Sequence, residues 1–154
     1  MLTQEEKKEI DAHLREYERK RGVVIDALSI VQSRRGWVSD DAVRDVADYL
    51  DMTPAEVDGV ATFYSRIFRR PVGRHVIAIC DSVVCWIMGY DDLRQHLSKK
   101  LKIDLGETTA DGRFTLLPNA CLGCCDRAPA MMVDEDLHVE LTPENIDAIL
   151  EKYT

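Results

Sequence analysis

A chain of 154 residues with 28 acidic against 20 basic side chains, a net charge of −8, lacks the basic excess with which proteins displace counterions from nucleic acid. Its 45% hydrophobic content suits an ordinary globular protein of one domain or two small ones, and no window approaches the roughly 18 uninterrupted apolar residues of a membrane span. Five cysteines behind an N-terminus with no secretory apolar run or transit-peptide character read poorly as a disulfide framework. Ligand or redox chemistry in the cytosol is the expectation, with any membrane link made through a partner.

In chain order, Thr3-Gln-Glu-Glu6 is a capping-box pattern. Ile10, Leu14 and Tyr17 then recur at helical spacing, and Gly22 is expected to end that helix. Val24, Leu28, Ile30 and Val31 carry a second helix to a stop at Gly36. Ser39 or Asp40 caps a third, with Val43, Val46, Ala47 and Leu50 inward, and Thr53-Pro54 opens a fourth whose inward residues are Val57, Val60 and Phe63. Residues 39–61 have a helix-turn-helix look, but Asp40, Asp41, Asp45, Asp48, Asp51, Glu56 and Asp58 would face the phosphates. Trp37 and Tyr49 read as packing. Arg66, Arg69, Arg70 and Arg74 form one basic run, either a solvated face or a docking site.

Pro71-Val-Gly73 marks a change of domain. His75-Val-Ile-Ala-Ile79 reads as a strand buried on both faces, with Cys80 at its end. Asp91 is expected to cap a helix from Asp92 to Leu101. Arg113–Leu117 forms the next strand, after an Asp111-Gly112 turn and up to Pro118. Ala130–Val133 and Leu137–Glu140 make a hairpin, and Thr142-Pro143 starts the last helix, with Ile146, Ile149 and Leu150 inward. The class is α+β: a small N-terminal helical bundle over 1–72, then a mixed sheet flanked by helices over 73–154.

The chemistry gathers at the cysteines. Cys80-Asp-Ser-Val-Val-Cys85 and Cys121-Leu-Gly-Cys-Cys125 are short-spaced groups that can converge four sulfurs. Thiolates select zinc, cuprous copper or iron–sulfur clusters, and C-x4-C is a spacing of plant-type two-iron ferredoxins. A four-cysteine zinc interaction module stays open on spacing alone, as does a dithiol reading of Cys121-Leu-Gly-Cys124. Gly89 and Gly123 could bring backbone N–H groups to the sulfurs, and Arg127 could offset cluster charge. His13, His96 and His138 read as surface residues and His75 as too far from Cys80 to be a ligand. No nucleophile–base pair or phosphate loop is present, so no catalytic residue is expected in this chain.

These motifs, with Gly89-Tyr90, Phe114–Pro118, Pro129, Met131-Met132, Thr62-Phe-Tyr64, the 68–75 run and Leu141–Glu144, closely resemble the two-iron E-type subunits of bacterial NADH:quinone oxidoreductase, from the peripheral arm of respiratory complex I. The resemblance implies a thioredoxin-like ferredoxin domain behind a helical docking domain. It implies one [2Fe–2S] cluster, with Cys80 and Cys85 on one iron and Cys121 and Cys125 on the other. Cys124 stands where the family generally has no cysteine and is expected not to be a ligand. Implied partners are the flavin- and NADH-binding subunit, carrying FMN, and the larger iron–sulfur subunit, with no nucleic acid and no direct membrane contact. The implied location is cytoplasmic, peripheral to the inner membrane through the complex. The equivalent subunit of an NAD-linked hydrogenase or formate dehydrogenase is the alternative.

Overall fold

The computed structural model describes residues 1–154 and divides into two compact units, Met1–Pro71 and Val72–Thr154. The first holds four helices: α1 (Gln4–Leu14), α2 (Val24–Arg35), α3 (Asp40–Leu50) and α4 (Pro54–Phe63). Their starts are where side-chain oxygens can meet the unpaired N–H groups of a first turn. Thr3 Oγ1 accepts from the Glu6 N–H at 3.1 Å while Glu6 Oε2 accepts from the Thr3 N–H at 2.7 Å. Thr53 and Glu56 repeat that reciprocal arrangement, and Ser39, not Asp40, caps α3. Gly36, at φ +81°, closes α2 in the left-handed conformation that glycine adopts without a Cβ penalty. Val23, Ala27, Leu28, Val31, Val43, Val46, Ala47, Leu50, Val57 and Ala61 fill the core between the helices.

Two helix expectations need correction. α1 stops at Leu14, well before Gly22. Residues 15–21 offer only Tyr17 as an apolar side chain, and Tyr17 is exposed with its hydroxyl donating to Asp26 at 2.9 Å. Nothing there holds another turn against the core, and Gly22 sits instead in a 3-10 turn leading into α2. Phe63 is 80% exposed, because Val57 and Ala61 already occupy the inward stripe of α4.

Glu6 is a charged residue in this core, 1% exposed, and its carboxylate takes Arg35 in a two-pronged contact at 2.7 and 2.7 Å. Those hydrogen bonds hold its pKa below the ordinary carboxylate value. From the basic run, Arg69 turns inward: it pairs with Asp40 at 2.7 Å and Asp58 at 2.9 Å and donates to the Val38 carbonyl. It is therefore part of the frame that fixes residues 64–71 to the bundle, with the Gln32 amide binding the Arg66 carbonyl and the Phe68 N–H.

The second unit is a four-stranded sheet in the order β2-β1-β3-β4, from β1 (His75–Cys80), β2 (Phe114–Asn119), β3 (Met131–Val133) and β4 (Asp136–His138). β1 pairs parallel with β2, His75 against Phe114 through Cys80 against Asn119, and antiparallel with β3. Its central place explains the unbroken apolar run. Leu93 and Leu97 of α6 (Tyr90–Leu101) and Ile146 and Leu150 of α7 (Pro143–Leu150) pack with Ile77, Ile79, Leu116, Met131 and Val133. Pro118 lies inside β2 rather than ending it. β1 is its one partner in the sheet, and residues 106–109 bond to its outer side only as far as Leu116, so at Pro118 that side is open and the missing N–H costs no ladder bond. Gly89, not Asp91, occupies the cap position of α6. Ahead of it lies an unforeseen five-residue helix, α5 (Val83–Ile87).

Three histidines are tied into the sheet and α7. His75 Nδ1 lies 2.7 Å from Asp134 Oδ2, His96 Nε2 2.8 Å from Asp147 Oδ1, and His138 Nε2 2.8 Å from the Tyr153 hydroxyl. Tyr153 in turn donates to Asp136 at 2.8 Å, and Arg113 donates to the Leu150 and Tyr153 carbonyls. No helix of the structure is long and apolar enough to cross a membrane.

Candidate metal centre

β1 and β2 run parallel and side by side, so the loops that leave their C-terminal ends emerge together. Cys80 is the last residue of β1, and its N–H donates to the Ala130 carbonyl at 3.1 Å. Cys85 is carried back towards it on α5. Both are 2% exposed and pack with Ala130. Burial, and next the hydrogen bond with the Cys80 thiol, push the Cys85 thiol up to about 11; the Ala130 N–H directed at the sulfur works the other way.

Beyond β2 the chain is shaped by Asn119, whose side-chain N–H donates to the Cys121 carbonyl at 3.1 Å. Cys121 is exposed, and the Gly123 N–H reaches its Sγ at 3.4 Å. Gly123 takes φ +77°, a conformation that presents the N–H to the sulfur and that a Cβ would strain. Cys125, also exposed, opens a 3-10 turn to Arg127, close enough to Cys121 for that thiol to affect its titration. The neighbouring charge of Cys121, followed by desolvation, raises the Cys125 pKa. Cys124 faces inward instead, half-buried against Cys80 and Cys85, with its pKa raised first by burial.

The expected site residues thus lie as two neighbouring pairs of free thiols, Cys80 and Cys85 packed together in one buried cluster and Cys121 and Cys125 exposed on the same short loop. No group of three or more histidine, cysteine or carboxylate side chains is arranged to hold a single ion. Of the two glycines expected near sulfur, Gly123 supplies an N–H and Gly89 donates to the Trp86 carbonyl instead. The reading of the sequence missed the N–H of Ala130. It also missed the apolar face of α5, where Val83, Trp86, Ile87 and Met88 stand in solvent around the buried Cys85. The unbroken run from Val83 to Met88 was the available signal.

A sequence model of the thioredoxin-like [2Fe-2S] ferredoxins matches residues 10–154. The chain belongs to that family. It is 55% identical to the E-type subunit of the NADH-quinone oxidoreductase of Escherichia coli (strain K12), over 99% of this chain and 92% of that protein. The corresponding NADH-quinone oxidoreductase subunit of Pseudomonas aeruginosa is 49% identical over the same shares, 99% and 92%. Among solved structures, an NAD+-reducing [NiFe]-hydrogenase in the air-oxidized state aligns at a TM-score of 0.70 and 30% identity. That likeness covers 85% of this chain and 22% of the hydrogenase chain. The expected fold class and family hold.

The donor set fits the family's cluster. A [2Fe–2S] unit completes each iron with two protein thiolates, and the site offers thiols two and two, one pair buried and one at the surface. The Gly123 N–H already reaches the Cys121 sulfur, and the backbone N–H of Ala130 works to lower the Cys85 pKa.

Proposed function

We propose that this chain is an electron-transfer subunit of an NADH:quinone oxidoreductase and holds one [2Fe–2S] cluster, with Cys80 and Cys85 on one iron and Cys121 and Cys125 on the other. The observation that carries the reading is the two pairs of free thiols on the loops that follow neighbouring parallel strands, in a chain 55% identical to an E-type subunit over nearly its whole length. When bound, the cluster supplies one-electron oxidation and reduction. The protein's own part is to hold four thiolates without rearrangement and to set the charge around them. The Ala130 and Gly123 N–H groups stabilise negative charge on sulfur, which favours the reduced state, while burial of Cys80 and Cys85 opposes it.

Hydride chemistry belongs to a partner, the flavin- and NADH-binding subunit, with the larger iron–sulfur subunit as second neighbour. The helical unit, which carries no site chemistry, is assigned to docking. The protein is placed in the cytoplasm, held at the inner membrane through the complex. The equivalent role in an NAD-linked hydrogenase has the weaker support, 30% identity against 55%. The test is an absorption spectrum of the purified full chain with iron and sulfide counts. A brown protein with two irons and two sulfides per chain is expected. A colourless protein that binds zinc and no sulfide refutes the reading.

A further inference from the structure

The chain carries one thiol more than a two-iron cluster uses, and its position is specific. Cys124 does not point away from the site: it packs against Cys80 and Cys85, while Cys125, the next residue, is exposed beside Cys121. The two adjacent side chains therefore approach the same centre from different sides. Between Cys121 and Cys124 lies Gly123, with φ +77° and no heavy atom within 4 Å of where its Cβ would be. Cys124 itself precedes a single 3-10 turn, closed by the Arg127 N–H to the Cys124 carbonyl at 3.0 Å and anchored by the Glu140 N–H to the Arg127 carbonyl at 2.9 Å. Cys124 thus already lies beside the two buried thiols, and open space at Gly123 leaves room for a small adjustment of the backbone ahead of it. Cys121 and Cys124 also stand at the C-x-x-C spacing that thiolate metal sites use.

We propose that Cys124 is an alternative ligand: when Cys125 is lost, the Cys124 sulfur takes its place on the same iron, and the cluster is then held by Cys80, Cys85, Cys121 and Cys124. The inference rests on the cluster assignment of the preceding section. In a chain without Cys125 no iron–sulfur bond to the protein has to break. As the cluster assembles, the Cys124 thiol releases its proton to water and its sulfur takes the iron position that a water molecule would otherwise fill, and no electron changes hands. The centre keeps four sulfur ligands and its charge. Only the loop geometry and the hydrogen bonds to sulfur change, so the spectrum and the potential shift while the cluster survives.

The experiment uses the full chain reconstituted with ferrous iron and sulfide. Wild type, Cys125→Ala and the double variant Cys124→Ala/Cys125→Ala are compared by iron and sulfide content and by paramagnetic resonance of the reduced proteins. The proposal expects Cys125→Ala to keep at least about half of the wild-type iron with shifted g values, and the double variant to keep less than about a tenth. Equal loss in both variants, or equal retention in both, overturns it. A second readout covers an alanine variant that fails to fold. In Cys125→Ser, nearly isosteric, alkylation of the loaded protein should find no free thiol, because Cys124 is bound to iron. One alkylated thiol at Cys124 would show that the serine oxygen or nothing replaces Cys125, and the proposal falls. Loaded wild type should show one free thiol, at Cys124; alkylation at Cys125 instead would make Cys124 the primary ligand and also overturn the proposal. Failure of wild type itself to take up iron and sulfide would refute the cluster assignment and is read separately.

Discussion

Replacing Arg35 by Ala removes the partner of a carboxylate that has almost no other recourse. Glu6 is 1% exposed and keeps only the Thr3 N–H at 2.7 Å once the two guanidinium bonds at 2.7 Å are gone. Breaking a buried pair from one side costs about 3–5 kcal/mol. Arg35 itself is 30% exposed, so water can enter where it stood, and the low end, about 3 kcal/mol, applies. For a unit of this size the urea slope is about 1 kcal/mol per molar, so the midpoint should fall by about 2–3 M. Trp37 belongs to this unit and Trp86 to the other, so fluorescence in a Trp86→Phe background reports the helical unit alone.

The decisive comparison is with Glu6→Gln. Because the cost comes from an orphaned charge, adding Glu6→Gln to Arg35→Ala should recover stability, at neutral pH, rather than lose more. The pH dependence has a fixed sign. Glu6 titrates below its ordinary value in the folded chain, so its contribution is present above that value and fades as pH falls through the folded pKa. The gap between wild type and Arg35→Ala should therefore narrow in acid. Additive losses in the double variant, or a midpoint shift under about 0.5 M, would refute the reasoning.

Changing Cys80, Cys85 or Cys121 singly to Ala should reduce bound iron to below about a tenth of wild type, and a full cluster in any of the three would strike that residue from the ligand set. In the sheet unit, Leu116→Ala empties a fully buried site and should cost about 3 kcal/mol, whereas Thr142→Ala removes only the α7 cap and should cost about 1 kcal/mol, both read by chemical denaturation. Burial lowers the His138 pKa, so its NMR titration midpoint should lie below 6.5. Its contribution to stability is then present above 6.5 and lost as pH falls through the folded midpoint. Deleting residues 1–71 should leave a chain that still forms a cluster but no longer co-purifies with the flavin-binding partner; normal binding would assign docking to the cluster unit.

Where local chemistry decides structure, the sequence could be read. Thr3, Ser39, Thr53 and Thr142 carry oxygens that cap first turns, and Gly36 marks a stop that only its own backbone freedom requires. Where the deciding contact is remote, it could not. The end of α1 depends on the absence of a core partner for residues 15–21, and the place of Pro118 on β2 being an edge. The histidines look idle because their partners, Asp134, Asp147 and Tyr153, lie far along the chain or beyond a turn. α5 is too short to show a period. At the site, the cysteines stand out by type and spacing, but spacing alone leaves iron, zinc and dithiol chemistry open. The inward turn of Cys124 and the N–H of Ala130 are products of folding.

The parallel pairing of β1 with β2 also dictates an order of assembly. Cys80 and Cys121 hang from strands that have no hairpin between them and meet only after the chain has passed through α5 and α6. Neither thiol pair can find the other in an unfolded chain except by chance, since parallel strands form contacts that are distant in sequence and slow to make. With the ligand set proposed above, the scaffold would have to be largely complete before two irons could be bridged between the loops, and iron entering earlier would meet one pair of thiols at a time.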